Sequence, residues 1–279
     1  MASLLADPPR GALVSEPFPH LVLPDALPED LCDGLMAEFP PTEWIAGRHE
    51  AGDNRRWSWP AARTLSDARL SPAWHELIRF HTSPAFLAQV VRAFREPLRR
   101  LYPRLEAELG PGETWRAGVR GRDDFEAADV LLDAQICINT PVAAPTSVRG
   151  FHVDRPDKLF AGLYYLRAPD DRSCGGDLQI ARFRAARRFR EYEIDERDVE
   201  VVRTVPYARN VLVMFLNGRD AVHGVTPRAV GPQPRRFVNL VGALRRPLFD
   251  LGPDQAPRQG LVPAARRVFA QLRARVGAR

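Results

Sequence analysis

His152 and Asp154 stand one residue apart, and a second histidine, His223, follows beyond two apolar runs at 159–166 and 210–216. Side chains in an extended segment alternate between faces, so the imidazole and the carboxylate of an H-x-D triplet project from one side and can grip the same ion. A distant histidine brought up beside them completes a set of two neutral nitrogens and one carboxylate oxygen. That set suits non-haem iron(II), because it occupies one face of the coordination sphere and leaves the opposite face open to reactants. An H-x-D triplet alone is a weak signal. Its order in the chain sharpens it: triplet, strand-like run, the Gly175-Gly176 pair, a second apolar run, His223, then Arg235-Arg236 opening a last strand-like run.

The elements that must carry these residues begin at Val130, where the periodicity turns strand-like. Strands are expected at 134–139, near 159–167, 176–183, 199–205, 210–216, 221–226 and 236–244. With the H-x-D segment these make about eight short strands with turn signals between them, which suit a double-stranded β-helix, the jelly-roll or cupin-like core. Upstream, 15–27 predicts a short strand and 28–39 a helix with Leu31, Leu35 and Phe39 on one stripe. Ser71-Pro72 and Ser83-Pro84 each join an N-cap hydroxyl to a proline at the first helical position, so two helices start there. The stretch 40–70 is expected to be irregular and 110–129 a polar connection. Residues 263–276 carry Ala265, Val268, Phe269, Leu272 and Val276 on one helical side. The expected organisation is mainly β with flanking helices in one domain: 1–129 as a strand and helical buttress, 130–246 as the jelly-roll core, and 247–279 as a helical extension.

Composition narrows the class. With 279 residues and 45% hydrophobic side chains the chain can bury a substantial core, and no run approaches the length of a membrane span. Residues 1–10 place Asp7 and two prolines where a secretory signal needs its apolar stretch, so a cytoplasmic location is expected. Cys32, Cys137 and Cys174 show no C-x-x-C spacing and predict reduced thiols. The net charge of +5 comes with 39 arginines and a single lysine, alongside abundant Ala, Pro and Gly. Such usage reflects coding bias more than a phosphate-binding surface, which argues against a nucleic-acid partner.

The segments 150–156 (G-F-H-V-D-R-P), 163–167 (L-Y-Y-L-R), 175–178 (G-G-D-L), His223-Gly224-Val225 and Arg236-Phe237 resemble the 2-oxoglutarate/Fe(II)-dependent dioxygenase superfamily, and within it the prolyl-4-hydroxylase-like branch. The likeness is densest over 130–244; residues 17–25 also resemble the way such chains begin. It implies His152, Asp154 and His223 as metal ligands, with Fe(II), 2-oxoglutarate and O2 as the reacting set. It also implies an Arg shortly after the distal His that clamps the far carboxylate of 2-oxoglutarate. Arg236 matches best, because Arg236-Phe237 repeats the family's Arg-aromatic pair. Arg235 is the alternative, and within a strand the two point to opposite faces. By the same likeness Tyr165 donates its hydroxyl to the cosubstrate. Asn139 stands where relatives carry Asn followed two residues later by Tyr; here Pro141 occupies that second position.

Four further residues are candidate substrate contacts. Trp57, with Trp59 near it, supplies the apolar mass of a lid, and Arg56 a polar hook within 54–60. Lys158, the only lysine, and Arg149 are cations flanking the H-x-D loop. The implied reaction is hydroxylation of a small-molecule or amino-acid-like substrate with release of succinate and CO2. The alternatives are a peptidyl, prolyl-type hydroxylase and a non-catalytic metal-binding jelly roll. Asp154 argues against halogenation, since halogenating relatives lack that carboxylate. Oligomeric state is left open.

Overall fold

The computed structural model describes residues 2–6, 8–9, 11–47 and 54–255. Short strands β1 (Leu13–Val14) and β2 (His20–Leu23) lead into helices α1 (Glu29–Ala37) and α2 (Thr42–Ala46). Strand β3 (Arg56–Trp59) is followed by helices α3 (Ala61–Thr64), α4 (Pro72–His81), α5 (Pro84–Ala93), α6 (Arg95–Leu101) and α7 (Pro103–Leu109). Strands β4 (Ala117–Val119), β5 (Val130–Asn139), β6 (Lys158–Tyr165), β7 (Leu178–Phe183), β8 (Val199–Val205), β9 (Val211–Leu216), β10 (His223–Val225) and β11 (Arg235–Leu244) follow. The helix expected at 263–276 lies outside the described residues. No helix among the described residues is long and apolar enough to cross a membrane.

The strands form two sheets. The larger has the order β1-β2-β9-β6-β11-β5-β3, with β4 alongside β5, and the smaller has the order β10-β7-β8. A two-way bridge between His152 and His223 adds the H-x-D segment to the edge of the smaller sheet. From β5 onward the chain therefore crosses repeatedly between sheets. The four central strands of the large sheet, β9-β6-β11-β5, face the four segments H-x-D, β10, β7 and β8. This is the double-stranded β-helix.

The central strands of the large sheet, β5, β6, β9 and β11, are buried on both faces, which explains why β6, β9 and β11 read as nearly continuous apolar runs. The face toward the small sheet contributes Cys137, Ala161, Tyr165, Val213, Phe215 and Phe237 to a cluster with Leu178 and Ile180. The opposite face contributes Ile136, Ile138, Tyr164, Leu212, Val238 and Leu240 to a larger cluster shared with the helices. Ser71 and Ser83 cap α4 and α5 by accepting from the amides of Trp74 and Phe86. The buried stripe of α4, Trp74, Leu77, Ile78 and His81, turns toward that cluster, and the Trp74 indole donates to Leu35 O at 3.1 Å to tie α4 to α1.

The stretch 40–70 is more regular than its composition suggests. It holds α2, β3 and α3, and β3 pairs antiparallel with β5 in the register Arg56↔Asn139 and Trp57↔Ile138. The alternation in R-W-S-W was the signal: two indoles on one face and two polar side chains on the other mark a strand edge rather than a loop. Likewise 110–129 contains β4, parallel to β5.

Candidate metal centre

The bridge between His152 and His223 is built from paired backbone bonds, His152 N to His223 O at 2.9 Å and His223 N to His152 O at 3.0 Å. It brings the two rings to a centroid separation of 4.1 Å. One donor atom from each of His152, Asp154 and His223 lies within 4.8 Å of the others, and all three residues are buried. Each imidazole is oriented by its own backbone: Nδ1 of His152 bonds Gly150 O at 2.8 Å and Nδ1 of His223 bonds Ala221 O at 2.9 Å. A carbonyl only accepts, so both rings carry their proton on Nδ1 and present the lone pair of Nε2. Burial lowers the pKa of both histidines, and for His152 the neighbouring His223 and Arg149 add to it. Burial works against the charge of Asp154, but the Lys158 ammonium on its Oδ1 outweighs it and holds the carboxyl well below the usual range. Two neutral nitrogen donors and one ionised carboxylate are the donor states a divalent metal requires.

A second feature lies in the same interior. The His223 ring touches Phe215 at a centroid distance of 4.6 Å, and Phe215 shares the inner apolar cluster with Tyr165 and Phe237. Between those rings sits the guanidinium of Arg235, which is 2% exposed and lies 4.8 Å from the Tyr165 centroid, 4.9 Å from Phe237 and 5.2 Å from Tyr207. Its Nη1 donates to Asn139 Oδ1 at 3.3 Å, while Nε and Nη2 have no hydrogen-bond partner among the described residues. Asn139 Nδ2 is buried without a partner too, and Tyr165 Oη faces the guanidinium without making a hydrogen bond of good geometry. Burial raises the Tyr165 pKa, keeping its phenol a donor.

Arg228 is as buried as Arg235. Its Nη1 donates to Thr140 O at 2.8 Å and Asn54 Oδ1 at 3.1 Å, its Nη2 to Gln233 O at 2.6 Å, and its Nε to no described residue. Burial, and then Arg235 beside it, lower its pKa. Among the described residues neither guanidinium has an acidic ion-pair partner. Gly175 and Gly176, at φ +79° and +81°, make room for this pair of cations: a Cβ on Gly176 would lie 3.1 Å from Arg235 Cδ and 3.2 Å from Arg228 Cγ, and one on Gly175 would overlap Pro227 O. Two buried cations and several unpaired donors thus lie close together in the interior, and their charge complements an anion.

The predicted residues divide clearly. His152, Asp154 and His223 come together, and so do Arg235, Asn139 and Tyr165. Arg236, preferred from its pairing with Phe237, lies on the other face of β11 with its guanidinium 5.0 Å from the Phe39 ring centroid. Strand alternation turns Arg235 inward and Arg236 toward the helices, so the order of preference is corrected. The lid reading of the indoles is corrected as well. Trp57 and Trp59 face the helical side of β3, Trp59 buried against Trp44, while Arg56 takes the inner face with its guanidinium 5.3 Å from the Phe237 centroid. Lys158 donates to Asp154 Oδ1 at 2.8 Å, and Arg149 Nε donates to Glu193 Oε1 at 3.1 Å, so neither stands free. Arg228 and Tyr207 went unnoticed in the sequence, where nothing distinguishes Arg228 from the other arginines.

No family model matches the chain, and no curated protein matches it. Among solved structures it is similar to a prolyl-4-hydroxylase from Pseudomonas putida (TM-score 0.41, 15% identity, covering 81% of this chain and 93% of that one). It is similar to the epimerase SnoN in complex with Fe3+, alpha ketoglutarate and nogalamycin RO (TM-score 0.42, 13% identity, covering 88% of each chain). HygX from Streptomyces hygroscopicus, with nickel, 2-oxoglutarate and hygromycin B bound, is similar at a TM-score of 0.38 and 12% identity, covering 81% of this chain and 83% of that one.

Proposed function

We propose that the chain is an iron(II)- and 2-oxoglutarate-dependent oxygenase acting on a small-molecule or amino-acid-like substrate in the cytoplasm. One observation carries the reading: a cluster of two neutral imidazoles and a carboxylate shares its interior with a buried guanidinium that has unpaired donors and no acidic partner among the described residues. The donor set fits the metal, and the unpaired donors fit a carboxylate of the oxo acid. His152, Asp154 and His223 would hold the ion; Arg235, Asn139 Nδ2 and Tyr165 Oη would hold the distal carboxylate of 2-oxoglutarate. When bound, the iron supplies the oxidation, with 2-oxoglutarate and dioxygen consumed and succinate and CO2 released.

The protein's own contribution is orientation and exclusion. The bonds from Nδ1 to Gly150 O and Ala221 O keep both imidazoles turned and in one tautomer, so no proton must move before a metal binds. The cage of Tyr165, Tyr207 and Phe237 holds Arg235 ready and dry, which strengthens its charge-assisted bonds to a carboxylate. Arg56, on the inner face of an edge strand, offers a cation to a polar or anionic substrate.

Succinate formation from 2-oxoglutarate under Fe(II) and air, with the His223→Ala variant as control, tests the proposal. Succinate above the control supports it. Saturable metal binding without any such succinate would instead leave a non-catalytic metal-binding jelly roll.

A further inference from the structure

Lys158 is the only lysine among forty basic residues, and its ammonium sits on a proposed metal ligand. Nζ lies 2.8 Å from Asp154 Oδ1, and the next nearest cation, Arg149, approaches the same oxygen at 3.9 Å. Both charges converge on Oδ1, and no ion pair is made to Oδ2 among the described residues. The Asp154 side chain is 6% exposed, so the carboxylate has little room to turn between partners.

The backbone around Lys158 is held in place. Lys158 N donates to Arg155 O at 3.0 Å, closing the turn after the H-x-D triplet. The buried Asn217 side chain donates through Nδ2 to Arg155 O at 2.8 Å and to Lys158 O at 3.0 Å, and Asn217 N donates to Leu159 O at 3.1 Å. Leu244 N donates to Asp157 O at 2.7 Å. A turn anchored from β9 and β11 at once delivers the ammonium to one place.

Resting on the metal reading above, we infer that Lys158 is a positioning residue: it occupies Oδ1 of Asp154 so that Oδ2 alone is offered to the ion. The chemistry explains the lysine in a chain that otherwise uses arginine. An ammonium is a compact point charge that satisfies one carboxylate oxygen, whereas a guanidinium presents a fork that takes both. An arginine here would compete with the metal for the second oxygen. A single-oxygen carboxylate also preserves the positions that an oxo acid and dioxygen must share.

The test uses Co(II), followed by its visible absorption and by calorimetry, on the wild type, Lys158→Arg and Lys158→Met, with thermal melts to show that each variant is folded. Loss of an orienting partner weakens metal binding by about 10–100-fold, and Lys158→Met should show such a loss; Lys158→Arg, whose fork competes for the second oxygen, should lose more. Lys158→Met should also show a changed Co(II) spectrum, because with Oδ1 no longer occupied the ion can take that oxygen or both. A crystal structure of the Co(II)-loaded wild type should keep Nζ on Oδ1 and place the ion on Oδ2. Equal affinities for wild type and Lys158→Arg, a larger loss in Lys158→Met than in Lys158→Arg, or an ion seated on Oδ1 would each overturn this inference while leaving the metal site standing. A wild type that binds no Co(II) would overturn the metal reading itself, and the inference with it.

Discussion

Along β11, Arg235 and Phe237 face the small sheet, while Val238, Leu240 and Leu244 take part in the cluster shared with the helices. Along β5, Asn139 and Cys137 face inward and Ile136 and Ile138 outward; along β3, Arg56 faces inward and Trp57 and Trp59 outward. The same strands thus line a helix-covered face that is almost wholly apolar and an inner face where a guanidinium, an amide and a phenol are buried with unused donors. A buried donor left unpaired costs about 1–3 kcal/mol. Concentrating several in one place is tolerable where an incoming group supplies the missing acceptors. The outer face is built to hold the fold together, and the inner face is built to be completed.

The sharpest way to break this contrast is to exchange the effects of the two faces. Replacing His152, Asp154 or His223 by Ala should abolish saturable Co(II) binding in calorimetry while the far-ultraviolet circular dichroism stays that of the wild type. Wild-type affinity in any one variant would remove that residue from the ligand set. Trp59→Ala should do the reverse, costing about 3–5 kcal/mol in urea unfolding, as expected for truncating a large buried side chain, with Co(II) affinity unchanged.

The helical layer also has a pH signature. His81 is buried with Nδ1 donating to Leu77 O at 2.7 Å and Nε2 accepting from Leu4 N at 3.1 Å, so the ring is held neutral. Burial pushes its pKa from 6.5 down to about 4. As pH falls, the unfolded chain takes up this proton before the folded one, so stability present above the unfolded value is lost on the way down through the folded value. The loss should be about 3 kcal/mol between neutrality and pH near 4, and His81→Gln should flatten that part of the profile. An unchanged acid limb in the variant would show that the ring is not held neutral.

The smallest predicted effect separates two neighbours. Arg235→Ala should weaken 2-oxoglutarate binding by about 1.5–3 kcal/mol, roughly 10–100-fold, as for a lost charge-assisted hydrogen bond. Arg236→Ala should change it little. Equilibrium titration of the metal-loaded protein with 2-oxoglutarate decides the order, and a larger loss in Arg236→Ala would return the clamp to the residue that the motif favoured.

Local patterns were legible without the fold. The serines at 71 and 83 with their prolines mark helix starts because capping is satisfied within three residues. The alternation of side chains gives His152 and Asp154 one face in any extended backbone. The apolar runs that became β6, β9 and β11 were visible because strands covered on both sides need no alternation. The order of elements, with the triplet before them and His223 between β9 and β11, then suggested the double-stranded β-helix in which those ligands meet.

Direction was what one dimension lacked. Whether Arg235 or Arg236 enters the interior depends on the register of β11 against β5 and β6, where Arg235 meets Asn139 from 96 residues away. Whether Trp57 covers a pocket or faces the helices depends on β3 joining the far edge of β5, since a shift of one residue would turn both indoles inward. Lys158 drew notice as a lone lysine, but its place on Asp154 Oδ1 comes from a turn fastened by Asn217 of another strand's end. The sequence by itself determined which residue types were available and the period at which they repeat. Only the tertiary structure decided which face each one took, because that is settled by pairing partners distant in the chain.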